Sequence, residues 1–127
     1  MRDDLEARMY ARITGAVLVW TRNCKGLSQR ALAVASGVSQ SSISRFEYAA
    51  VLPDAHALRR LALALGTTSV QLIATVELVW SRVQACVAAA RDVGSLTWWE
   101  VPLSTDFLAG VVALALADAE KQGVIDA

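Results

Sequence analysis

The chain has 127 residues, 55% of them hydrophobic and 19% charged, and its formal net charge is zero. That bounds it to one compact domain, or one small domain with an appendage. It excludes disorder, which needs low hydrophobicity and high net charge, and also a collagen-like repeat, since there are only 7 glycines and 2 prolines.

Helix signals dominate and strand signals are nearly absent, so the expected fold class is all-α. From about Ala7 to Asn23, the residues Met9, Ile13, Val17, Leu18 and Trp20 recur near helical spacing, and Lys25-Gly26 supplies a basic last turn and a glycine stop. Ser28 caps a short second helix from Gln29 to Ala35, with Leu32 and Ala33 facing inward and Ser36-Gly37 as the break. Ser39 caps a third, from Gln40 to about Tyr48. Its apolar side carries Ile43 and Phe46, and its polar side carries Gln40, Ser41, Ser44 and Arg45. After Ala49-Ala50-Val51-Leu52, Pro53 marks the start of a fourth helix, in which Leu58, Leu61, Ala62 and Leu65 repeat at helical intervals up to Gly66. Thr68 or Ser69 caps a fifth, running through Val70, Ile73, Val76, Val79, Trp80, Val83 and Val87 toward Asp92 and ending at Gly94. A connection with Trp98 and Trp99 follows. Ser104 or Thr105 then caps a sixth helix, Phe107 to Gln122, whose first three turns are apolar all round.

Two short helices joined by a glycine-containing turn form a helix-turn-helix, whose second helix can enter a DNA major groove. The run Gly26-Leu27-Ser28-Gln29, then Leu32-Ala33, then Ser36 through Glu47, closely resembles the Xre/lambda-repressor-like family. The resemblance continues through Pro53 and the Leu58 to Gly66 run and covers residues 12 to 74. Gly15, Leu18 and Arg22 stand at the intervals that family uses in its first helix. It implies a five-helix DNA-binding domain over residues 1–74, of bacterial or phage origin, that binds double-stranded DNA. It further implies that Arg22 pairs with Glu47, and that Gln29 anchors a phosphate together with the N-terminus of its helix. Ser28, Arg30, Ser39 and Lys25 join it along the DNA backbone. Base reading falls to Gln40, Ser41 and Arg45, with Ser44 and Ser39 in support: glutamine suits an adenine edge, arginine forks onto guanine, and serine is permissive.

The sequence departs from that family after Glu47. The family commonly has a glycine and basic residues before the proline, where this chain reads Tyr48-Ala49-Ala50-Val51-Leu52. A left-handed cap at Ala49 would be strained, so the expectation is another loop path or a longer third helix. With no basic residue there, affinity leans on Arg30, Lys25, Arg12 and the helix N-termini. Val51-Leu52 is a candidate protein contact.

Residues 75–127 are expected to form a helical dimerisation or partner-binding region. The mean hydropathy of +0.42 asks for cover beyond one small core, and a helix apolar all round needs burial on more than one side. A homodimer seam built from Trp80, Val83, Val87, Trp98, Trp99, Phe107, Val111 and Leu114 would supply it. Packing within one chain is an equal alternative for Trp80, and an effector pocket lined by the tryptophans is another.

The longest apolar run, Phe107 to Ala117, has 11 residues, short of the roughly 18 needed to span a bilayer. Arg2, Asp3, Asp4 and Glu6 open the chain without a signal-peptide core, so a cytoplasmic location is expected and no membrane association. Cys24 and Cys86 have no CxxC spacing and His56 has no ligand neighbours, which predicts reduced thiols, no metal and no cofactor. There is no GxSxG, HExxH or phosphate-cradling glycine loop, so no enzyme is expected. Charge divides along the chain: Met1 to Gly66 holds 9 Lys/Arg against 5 Asp/Glu, a net of +4, and the remainder holds −4. The combined expectation is a homodimeric repressor reading an inverted-repeat operator through its third helix. The alternative is an antitoxin or accessory subunit whose apolar rear binds a second protein.

Overall fold

The computed structural model describes residues 2–94 and 105–121, with side chains for 6–85, 110–118 and 121. These residues form six helices: α1 (Arg2–Cys24), α2 (Gln29–Ser36), α3 (Gln40–Glu47), α4 (Ala55–Ala64), α5 (Ser69–Gly94) and α6 (Thr105–Lys121). Among the described residues there is no strand.

Capping chemistry fixes where the short helices begin. Ser28, Ser39 and Asp54 sit in extended backbone, and their side chains accept from the N–H groups of Ala31, Ser42 and Ala57 at 3.0, 3.2 and 2.7 Å. Thr68 does the same for Gln71 at 3.2 Å. Each such cap contributes about 1 kcal/mol. The fourth helix therefore starts after Asp54 rather than at Pro53, because the carboxylate satisfies an N–H that proline would leave to solvent.

The C-terminal ends share one device. Gly26, Gly37 and Gly66 have φ of 68, 75 and 77°, and Ala49 joins them at 61°. After α3 the Ala50 N–H donates to the Arg45 carbonyl at 2.9 Å and the Ala49 N–H to the Phe46 carbonyl at 3.1 Å. This paired arrangement, a Schellman cap, also ends α1 at Gly26 and α4 at Gly66. The chain thus neither extends α3 nor takes another path. It makes the glycine cap with an alanine, because two otherwise orphaned carbonyls outweigh the roughly 1–2 kcal/mol of left-handed strain. Ala49→Gly is accordingly expected to stabilise the fold by about 1 kcal/mol, raising the melting midpoint by about 4 °C in calorimetry.

The core is continuous from the short helices into α6. Ile13, Val17, Leu32, Ile43, Leu61, Leu65, Val79, Val83 and Val112 are all essentially inaccessible, and Val111, Ala115 and Leu116 belong to the same cluster. A boundary between residues 74 and 75 falls inside α5, with shared core on both sides of it. Helix α6 packs on α1 as well as on α5. Cover on a second side of α6, expected from a partner chain, thus comes in part from within the protomer: α1, with its 23 residues, is about 35 Å long and supplies a second wall beside α5. It begins at Arg2 rather than near Ala7. Its first turn lacks periodic apolar residues but holds Asp3, Asp4 and Glu6, acidic groups that suit a helix N-terminus.

Val83 and Val111 consequently lie inside the protomer, 1% and 8% exposed, whereas Leu114 is 66% exposed. Trp80 is half-buried against the core, its ring 5.6 Å from that of Tyr10 and tilted by 57°. Val87 and Phe107 lie on α5 and α6, but their side chains, like all of Trp98 and Trp99, fall outside the described residues. The Tyr10 hydroxyl donates to Glu77 Oε1 at 3.2 Å, tying α1 to α5. Burial, and then the Glu77 carboxylate, hold that phenol above its ordinary value, so it remains a donor. Arg82 on α5 pairs with Asp118 on α6 at a partly exposed site, a contact of small net value. Among the described residues no single helix is long and apolar enough to cross a membrane.

Candidate nucleic-acid interface

Helix α3 is held at both its buried face and its end. Ile43 and Phe46 are buried in the core. At Gly15 of α1 the backbones nearly touch, and a Cβ placed there would meet the carbonyl oxygens of Phe46 and Glu47 at 2.7 and 2.8 Å. Glycine is what lets the last turn of α3 lie directly on α1.

A three-residue network then locks that turn. Arg22 Nε donates to Glu47 Oε2 at 2.8 Å and Nη2 to Oε1 at 2.9 Å, while Nη1 donates to the Leu27 carbonyl at 2.9 Å. The two side chains are only 14% and 5% exposed. Glu47 raises the Arg22 pKa through the hydrogen bond, against the opposing effect of burial, so the guanidinium stays charged. Gln29 Nε2 donates to Glu47 Oε1 at 3.0 Å. A carboxylate only accepts, so the amide must turn its NH2 group toward Glu47. Its carbonyl oxygen and second N–H remain for other partners. One carboxylate thus ties the first residue of α2 and the body of α1 to the last residue of α3.

The opposite face of α3 is open. Gln40, Ser41 and Arg45 are exposed and share it, with Ser44 half-buried at its side. Ser39 serves its own helix first: besides capping, its Oγ donates to Ser42 Oγ at 2.8 Å and lies 3.3 Å from Ser41 Oγ. Ser28 is likewise engaged as the cap of α2. Arg30 is exposed on the first turn of α2. Lys25, just after α1, is exposed. Its ammonium lies beside Gly66, 3.8 Å from where a Cβ would stand, at the carbonyl end of α4, which attracts a cation.

Three features escape sequence reasoning. The Gln29 to Glu47 bond depends on tertiary placement that no local spacing encodes. Arg60, on the exposed side of α4, lays its guanidinium against Gly37 in the turn between α2 and α3, 3.0 Å from a Cβ there. Tyr48 is 81% exposed immediately after α3. A large aromatic among small residues in a loop without cations was the available signal for it. Among the described residues no three His, Cys, Asp or Glu side chains gather as a metal site.

Residues 13–75 match the family model described as a helix-turn-helix domain, one residue away at each end from the span 12 to 74 that the motif predicts. No curated protein and no solved structure matches the chain significantly. The segment containing α2, α3 and the α1 turns that hold them is therefore a helix-turn-helix domain, the kind of unit that binds DNA.

Proposed function

We propose that this helix-turn-helix domain makes the protein a sequence-specific transcription regulator of Xre/lambda-repressor-like type, working in the cytoplasm as a homodimeric repressor without a catalytic role. The observation that carries the reading is the division of α3. Its buried side is fastened by Gly15 and by the Arg22, Glu47 and Gln29 network, while its other side offers Gln40, Ser41 and Arg45 to solvent. A rigidly held helix with exposed forked donors is what base recognition requires, since each good bidentate pair discriminates by about 1–3 kcal/mol.

In this reading Gln40, Ser41, Ser44 and Arg45 read base edges. Gln29 gives its remaining amide N–H to a phosphate at the N-terminus of α2, with Arg30 beside it, and the Tyr48 hydroxyl is placed to contact a phosphate at the other end of α3. Ser28 and Ser39 act chiefly through the helix ends they cap. The net +4 of residues 1–66 draws DNA to this half, and the −4 of the remainder keeps it off the rear. For the dimer, the support is the exposed Leu114 on α6, whereas Val83 and Val111 are buried inside the protomer and lie outside any seam. Two-fold pairing would set two α3 helices about 34–36 Å apart in successive major grooves.

Selection of bound sites from random DNA with the purified protein, followed by footprinting, tests the proposal. The expected result is an inverted repeat with dyad protection. Protection of one asymmetric half-site by a monomer, or no enriched sequence, would overturn it. Arg45→Ala is expected to relax base preference at one position per half-site, and Gln29→Ala to weaken all sites alike.

A further inference from the structure

A partly enclosed cavity of about 260 Å³ lies between α1, the segment after α3, the start of α4 and the first turns of α5. Leu52, Pro53, Ile73 and Val76 wall it together with Tyr10 and Thr14, and no charged side chain lines it. Both hydroxyl-bearing side chains in the wall are already committed. Thr14 Oγ1 donates to the Tyr10 carbonyl at 2.8 Å, and the Tyr10 hydroxyl donates to Glu77 at 3.2 Å. A buried water needs two to four polar partners, and this lining has few to give. Water is therefore weakly held there and is readily displaced by an apolar guest.

We propose that this cavity is a binding site for a small, uncharged, largely apolar molecule. Size narrows the class: an aliphatic cavity of about 150 Å³ accepts benzene, and drug-sized ligands need about 300 Å³ or more, which places the guest near a bicyclic aromatic of roughly ten non-hydrogen atoms. Charge narrows it further, because an ionised group would lose its hydration with no partner in the wall, and Glu77 beyond Tyr10 repels anions. Leu52 and Ile73, 41% and 44% exposed at the rim, would close over the bound molecule. The site is separate from the polar face of α3 and does not depend on the DNA reading.

Indole serves as the probe, with the full chain, by titration and scanning calorimetry. The expected result is a one-to-one isotherm and a melting midpoint raised by several degrees. Ile73→Trp, which fills the cavity from α5, and Leu52→Trp, which fills it from the loop, should each abolish the response while melting near the wild-type midpoint. Val70→Trp, at a residue 76% exposed and outside the lining, should keep it. Absence of indole binding to the wild type, or an undiminished response in both filled variants, would overturn the proposal. So would a change of sedimenting mass in Ile73→Trp without any indole response in the wild type, which would assign the cavity to a protein contact instead.

Discussion

Glu47→Ala is expected to cost about 3–5 kcal/mol of folding stability, the range for removing one partner of a buried ion pair. That is a large share of the roughly 5–15 kcal/mol that a domain possesses. The reason is what remains rather than what is lost. Arg22, only 14% exposed, would keep its charge with two donors unmet and only the Leu27 carbonyl in place, and Gln29 would lose its acceptor as well. Scanning calorimetry should find the midpoint lowered by about 10–20 °C. The double variant Arg22→Met with Glu47→Leu should recover most of the loss, because well-packed apolar groups replace a buried pair at little net cost. If the single and double variants melt alike, the pair is not behaving as a buried one. The double variant also separates stability from orientation. It should fold but lose preference among DNA sites, since nothing then fastens Gln29 and the end of α3 in one geometry.

The elements that were legible in the sequence are those whose limits are set by local chemistry. Ser28, Ser39, Gly26, Gly37 and Gly66 each act within four residues of themselves, so α2 and α3 could be bounded to within a residue. At Ala49 the local rules conflicted: the cap wanted glycine and the chain had alanine. Propensity alone favoured avoiding the strain, yet the structure accepts it, because the Ala49 and Ala50 N–H groups both find carbonyls of α3. The polar face of α3 was legible from its periodicity. The link from Gln29 to Glu47 was not, since it joins residues eighteen apart in sequence through a fold that brings α2 over the end of α3.

The surplus of apolar residues was read as a need for cover by a second chain, and for Val83 and Val111 that cover lies within the protomer. The first turn of α1 carries charge instead of a hydrophobic stripe, so its reach was underestimated, and with it the wall it offers α6. Once α1 lies along α6, Val83, Val111, Val112 and Ala115 are satisfied within one chain. Among the described residues the large apolar side chains still open to solvent are Val34, Tyr48, Val51, Leu52, Leu63, Val70, Ile73 and Leu114, and of these only Leu114 lies on α6.

Gly15→Ala sets two physical effects against each other. Alanine is favoured over glycine in a helix interior by about 1 kcal/mol, so on propensity alone the variant should be more stable. The new Cβ, however, would stand 2.7 Å from the Phe46 oxygen and 2.8 Å from the Glu47 oxygen. Both are backbone atoms in the last turn of α3 and cannot rotate aside. Relief requires that α1 and α3 separate, and overpacking of this kind costs about 1–3 kcal/mol. The expected outcome is net destabilisation of about 1 kcal/mol for alanine, growing with Val. The larger consequence falls on recognition. Separation at Gly15 shifts the end of α3 and drags on the Arg22 to Glu47 link, so Arg45 and Gln40 no longer present their donors at one fixed depth. Binding to a selected operator should fall about tenfold, the loss of roughly one bidentate base contact, while binding to random DNA, which depends on phosphate charge, should barely change. A variant that is more stable than wild type and equally selective would mean that the α1 to α3 contact does not set the position of the reading helix.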